Sequence, residues 1–264
     1  MESLKLESLI QQCLELIQTV GLFIREQQER VVSDDIITKQ QNSFVTFVDK
    51  EAEVRLIKGL RQLLPEATFI TEEDTVENED SELAWIVDPL DGTTNFLYGI
   101  PIYSISVALK VGDKIALGIV HAIHQNEFFY AWDKAGAFLN KKPIVVNRRP
   151  ALIDAVVGTG FPYDKNKRME EPYRILATLL AKVRGLRRLG SAAMDLAYVA
   201  SGRLDAYYEF NLNAWDVAAG GKIVQEAQGK VSDFADSPEW IWGKSILAAN
   251  PELHGHLLEV IRSV

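Results

Sequence analysis

Apolar residues recur at helical spacing over residues 4–27. Leu6, Leu9, Ile10, Cys13, Leu14, Ile17, Val20 and Ile24 share one face there, so a long amphipathic helix is expected. A second helix is expected from about Asp49, as N-cap, to Leu64, with Ala52, Leu56, Ile57, Leu60 and Leu63 inward and Pro65 as its stop. The pattern then shortens. Thr68 to Thr71 reads as a strand ending in Glu72-Glu73-Asp74, Glu77 to Glu82 as a solvated loop, and Ala84 to Val87 as an apolar strand. Three more strands are expected at 103–111, 115–124 and 127–132. Gly112-Asp113 and Gln125-Asn126 fall at hairpin positions between them, which predicts a mostly antiparallel sheet.

Beyond residue 154 strands and helices alternate. Strands are expected at 155–158, 185–188, 206–210 and 245–249, and helices at 167–182, 191–202 and 215–228, the last ended by Gly229. Pro251 opens a final helix from its first turn. The fold class is α/β: one compact unit over 1–264, with an N-terminal α+β half (1–150) and a C-terminal α/β half (151–264).

Composition narrows the classes. An apolar share of 47% fits a folded globule, and no apolar run approaches the ~18 residues of a membrane span. The start lacks the basic-then-apolar order of a signal peptide, and Cys13 is the single cysteine, so a reducing, cytoplasmic setting is expected. A net charge of −9 argues against direct nucleic-acid binding.

The chemistry concentrates in Trp85-Ile-Val-Asp88-Pro-Leu-Asp91-Gly-Thr-Thr-Asn95. Two carboxylates three residues apart at a strand end call for a hard cation, because buried unpaired charge is costly. The Gly92-Thr93-Thr94 turn offers amides and hydroxyls suited to a phosphate oxygen. Glu72 and Asp216 are further acids at element ends, although Asp216 read by itself is a helix N-cap and Glu72 a surface acid. Together they point to metal-assisted phosphoester hydrolysis, but nothing in the sequence alone brings Asp216 to the others. Rival chemistries lack their parts. There is no Gly-x-Ser-x-Gly elbow, and Gly243-Lys-Ser245 lacks the upstream glycine of a P-loop, with Pro238 in its place. His121 with His124, and His254 with His256, diverge in direction.

The sequence resembles the inositol monophosphatase family of lithium-sensitive, magnesium-dependent phosphatases. The matching segments run in family order: Asn42-Ser-Phe-Val-Thr-Phe-Val-Asp49, Phe69-Ile-Thr-Glu72-Glu73, the Asp88–Asn95 motif, Gly158-Thr-Gly-Phe-Pro-Tyr-Asp164, Leu189-Gly-Ser-Ala-Ala193, Ala206-Tyr-Tyr-Glu209 and Trp215-Asp216-Val-Ala-Ala-Gly220. The resemblance implies a layered αβαβα sandwich of the sugar-phosphatase type and Mg2+ as cofactor. It implies Glu72, Asp88 and the carbonyl of Leu90 on one magnesium, Asp88, Asp91 and Asp216 on a second, and a third near Glu72 through water. It gives Thr93 and Asp49 the orientation and deprotonation of the attacking water, with Glu73 supporting. The amides of Gly92 and Thr93 would receive the phosphate, and the backbone at Ala192 with Glu209 would contact an inositol ring. Lys39 corresponds loosely to a metal-proximal lysine. Ser43 stands where many members carry aspartate, and Asn213 where animal enzymes carry histidine. The implied substrate is a small phosphorylated polyol, inositol 1-phosphate first. A 3′-phosphoadenosine nucleotide, fructose 1,6-bisphosphate and histidinol phosphate are the alternatives, and a non-catalytic role beside the transcription machinery is a further one. A homodimer is implied as well.

Overall fold

The computed structural model describes residues 3–33, 38–161 and 170–264. The side chains of Lys39 and Ser43, residues 162–164 of the Gly158–Asp164 motif, and the expected helix start at 167–169 lie outside the described residues.

Two long helices open the chain, α1 (Ser3–Ser33) and α2 (Thr38–Leu63). The α1 stripe is as the spacing predicts: Leu6, Leu9, Ile10, Cys13, Ile17, Val20 and Ile24 are buried, and Leu14 half-buried. Helix α2 starts eleven residues before Asp49, at Thr38, so Asp49 is an interior helical residue and not an N-cap. Val48, just before Asp49, already belongs to the buried i, i+4 stripe that Ala52, Leu56 and Leu60 continue, so the amphipathic pattern does not begin at Asp49.

A seven-stranded sheet follows: β1 (Thr68–Thr71), β2 (Leu83–Asp91), β3 (Ser104–Val111), β4 (Lys114–Ala122), β5 (Glu127–Trp132), β6 (Gly136–Leu139) and β7 (Lys142–Ile144), in that spatial order. It is mixed: β1 runs parallel to β2 and every other neighbouring pair is antiparallel. The short strands β6 and β7 were not expected, because three or four mostly half-buried residues carry no readable alternation. Between β2 and β3 lies one short helix, α3 (Thr93–Leu97).

The second sheet contains β8 (Val156–Thr159), β9 (Gly185–Arg187), β10 (Ala206–Phe210), β11 (Lys230–Ser232) and β12 (Ser245–Ala249) in the order β11-β12-β10-β8-β9. Its helices are α4 (Glu170–Leu180), α5 (Ala192–Ala200), α6 (Ala214–Glu226) and α7 (Pro251–Arg262). Three apolar clusters set the layers. Helices α1 and α2 cover one face of the first sheet, α5 and α6 lie between the two sheets, and α4 and α7 cover the outer face of the second. The result is the expected αβαβα sandwich. Among the described residues no helix is long and apolar enough to cross a membrane.

The middle layer sits tightly on the first sheet. A Cβ at Gly118 on β4 would lie 2.6 Å from the carbonyl oxygen of Ala219 in α6. Backbone on both sides cannot yield, so Gly118→Ala is expected to cost about 1–3 kcal/mol by overpacking. Urea unfolding of the variant checks this; an unchanged midpoint would show that the layers can slide apart.

Candidate active site

Strand β2 does not stop at Val87 as expected but runs on to Asp91, through Asp88-Pro89-Leu90, with its register to β3 shifting between Asp88 and Asp91. Such a bulge accommodates a proline and re-aims side chains. Asp88 is buried, and its Oδ1 accepts from the Leu90 amide at 2.9 Å. The Leu90 carbonyl accepts from the Thr93 hydroxyl at 3.1 Å. Gly92 follows with φ of 96°, and a Cβ there would sit 3.0 Å from the Ile102 carbonyl, so the tight entry to α3 requires glycine.

Asp91 is tied to the head of α5. Its Oδ2 accepts from the Ser191 hydroxyl at 2.6 Å and from the Ala193 amide at 2.7 Å, while the same Ser191 oxygen caps α5 by accepting from Met194 N at 3.2 Å. Asp216 comes from α6. It occupies the third helical position and not the cap, which is Asn213; Asp216 Oδ2 accepts from the Asn213 amide at 2.6 Å. Glu72 stands just past β1; the residue as a whole is exposed, but its carboxyl turns inward to within hydrogen-bond reach of Asp88.

These elements meet at one cavity of about 260 Å³. Glu72, Asp88, Leu90, Asp91 and Asp216 line it. Gly92, Thr93, Ala192, Glu209, Asn213 and Arg188 line the same cavity. Asp49 and Glu73 are not among its lining residues. Thr93 and Asp49 are not joined either, since the Thr93 hydroxyl is used by Leu90 and Asp49 Oδ1 is buried without a partner.

The cavity is electrostatically stressed. Burial, reinforced by Glu72, Asp91 and Asp216, holds the Asp88 carboxyl well above its usual range. Lost hydration lifts Glu72 to about 7, helped by Asp216, Asp91 and Glu73. Asp216 rises to about 7 by burial and by facing Asp91. Asp91 reaches only about 6, because Ser191 and the Ala193 and Ala192 amides stabilise its charged form against burial. Burial raises Asp49 to about 8, with Glu73, Glu72 and Glu53 adding to it.

Among the described residues, no three acidic side chains already close around one ion-sized point. The donor set nevertheless fits a hard divalent cation: oxygen atoms only, mostly carboxylate, with Asp88, the Leu90 carbonyl, Asp91 and Asp216 each held by a supporting hydrogen bond. A phosphate dianion could enter such a pocket only with cations present.

Two residues escaped the sequence reading. Glu53 lies one turn after Asp49 on α2 and is fully buried. Its carboxylate accepts from the Thr71 hydroxyl (3.1 Å), the Glu73 amide (2.9 Å), the Thr75 amide (2.9 Å) and the Thr75 hydroxyl (2.6 Å), pinning the loop that carries Glu72. Asp195 on α5 also lines the cavity. The available signals were an acid within an apolar helical stripe and a lone charge in the otherwise apolar Ala192–Ala200.

A layered α/β sandwich whose strand and helix ends gather carboxylates around one pocket defines a class built for hard cations and anionic substrates. The chain belongs to the inositol monophosphatase family, whose model matches residues 5–264. The Nus factor SuhB of Pasteurella multocida is 39% identical over 232 residues, covering 87% of each chain. The inositol-1-monophosphatase of Mesorhizobium japonicum is 39% identical over 225 residues, covering 85% of each. Among solved structures, the inositol monophosphatase from Anabaena superposes with a TM-score of 0.88 at 31% identity, over 98% of this chain and 97% of that one. Membership supports a phosphatase, and the family is generally metal-dependent.

Proposed function

We propose that this chain is a magnesium-dependent phosphomonoester hydrolase that converts inositol 1-phosphate and water to inositol and phosphate. The observation that carries the reading is the meeting of Glu72, Asp88, Asp91 and Asp216, from the loop after β1, from β2 and from α6, in one cavity with Gly92, Thr93 and Glu209. Glu72, Asp88 and the Leu90 carbonyl would hold one magnesium, and Asp88, Asp91 and Asp216 a second; a third would sit near Glu72 through water. The chemistry supplied by bound magnesium is a lowered water pKa and neutralised charge on the leaving oxygen.

The chain's own groups do the positioning. The Thr93 hydroxyl orients the attacking water and Asp49 takes its proton, which suits a carboxyl lifted to about 8 with a free buried oxygen. Glu73 supports the water shell. The Gly92 and Thr93 amides receive the phosphate, while Glu209 and the backbone at Ala192 take ring hydroxyls, ionised acceptors giving the stronger hydrogen bonds. Lithium is expected to inhibit by entering a cation position.

The test is phosphate release from inositol 1-phosphate, fructose 1,6-bisphosphate, 3′-phosphoadenosine 5′-phosphate and histidinol phosphate, with magnesium and with EDTA. Strongest magnesium-dependent turnover on inositol 1-phosphate is expected. Preference for another ester would replace the substrate; silence from folded protein across the panel would sink the reading. A second reading, a protein partner of the transcription machinery, is favoured by relatives named Nus factor. Cellular function retained by a variant without phosphatase activity would support it. We also propose that residues 1–264 act as one unit, in the cytoplasm, as a homodimer; a light-scattering mass of a single chain would overturn the dimer.

A further inference from the structure

We propose that Asp195 is a specificity-determining residue of the polyol subsite, where it and Glu209 form a two-carboxyl floor that takes neighbouring hydroxyls of the substrate ring. The inference rests on the phosphatase reading above and names the part of the pocket that selects the alcohol.

Four observations carry it. Asp195 is only 2% exposed, yet it lines the cavity, and its Oδ1 is buried with no hydrogen-bond partner. An unsatisfied buried acid of this kind is costly and calls for a partner, which an ordered water or a ligand hydroxyl can supply. Glu209 lines the same cavity at 9% exposure and is steadied by the Tyr207 hydroxyl, which donates to its Oε2. Finally, two glycines make room for the pair. Gly158 lies on β8 and Gly160 just past its end. A Cβ at residue 158 would overlap Asp195 Oδ1, and one at residue 160 would overlap the Glu209 carboxylate. The Gly-Thr-Gly start of the Gly158–Asp164 motif thereby acquires a purpose: it seats two acids side by side.

The arrangement suits vicinal hydroxyls. Glu209 takes one, and Asp195, one turn into α5 and beside Ala192, takes another. Arg188 lies close enough to ease the charge of both acids. A flat aryl ester has no hydroxyl to place there and gains nothing from the floor.

The experiment compares inositol 1-phosphate with p-nitrophenyl phosphate as substrates of the magnesium-loaded wild type, Asp195→Ala and Asp195→Asn. Asp195→Ala is expected to raise KM for inositol 1-phosphate by about tenfold, the worth of one good hydrogen bond, and to leave the aryl ester within about twofold. Asp195→Asn, which keeps an acceptor at the same place, is expected to recover most of the loss. An equal fall on both esters, or no fall on either, would overturn the assignment and leave the phosphatase reading standing. A wild type inactive on both esters would remove the phosphatase reading, and this inference with it. Thermal midpoints of the three proteins separate a folding defect from a loss of recognition.

Discussion

Asp88→Asn is expected to lower magnesium-dependent phosphate release by about a thousandfold or more, because it removes the one carboxylate assigned to both cations. The same change should leave the metal-free protein as stable as the parent or more so. Asp88 is 1% exposed and crowded by three other acids, so a neutral amide of the same shape relieves repulsion at that position. An asparagine Oδ1 can still accept from the Leu90 amide, keeping the bulge in place. Activity assays paired with thermal scans in EDTA check both halves. Turnover within about tenfold of the parent would exclude Asp88 from the chemistry. Lost activity together with a lowered midpoint would mark it as a structural residue.

The second large effect is a magnesium stabilisation that grows with pH. In the metal-free fold Asp216 and Glu72 titrate near 7 and Asp91 near 6, all above their unfolded values. The folded state therefore binds more protons than the unfolded one between about pH 4 and 7, and metal-free stability falls as pH rises through that window. Magnesium competes with those protons. Its stabilisation should be largest at pH 8 and shrink towards pH 5, where the carboxyls hold protons instead. Two histidines work in the opposite sense. Burial lowers both His121, stacked on Phe128, and His254, bonded to Ser232, to about 4. Their contribution is present above about pH 6.5 and is lost as pH falls towards 4. Metal-free protein should thus be most stable in mildly acidic buffer, and magnesium should move that optimum upward. Thermal midpoints from pH 5 to 8, with and without magnesium, test this; a magnesium shift independent of pH would contradict it.

How much of this was legible depended on whether a residue's neighbours in sequence are also its neighbours in space. Asp88, Asp91, Gly92 and Thr93 are contiguous, so their spacing carried the chemistry. Asp216 enters from α6, and only the resemblance linked it to the others. The start of α2 was misread because Asp49 has the type of a cap residue, while the stripe from Val48 to Leu60 that decides the matter is tertiary. Glu53 and Asp195 were passed over for a related reason: an acid on a helix is ordinarily solvated, and only the fold shows which ones face inward. Most elements were readable from alternation and periodicity and the layering of the sandwich from the resemblance, whereas β6, β7 and β11 were too short to leave a pattern.

The Glu53 anchor has a consequence for how the pocket behaves in salt. Its four partners are neutral amides and hydroxyls, so no opposite charge exists there for dissolved ions to screen. The anchor works as a stitch and not as a magnet. Concentrated salt will weaken the pull between the pocket's cations and an approaching phosphate, yet the loop bearing Glu72 stays sewn to α2, ready to work again as soon as the salt is diluted.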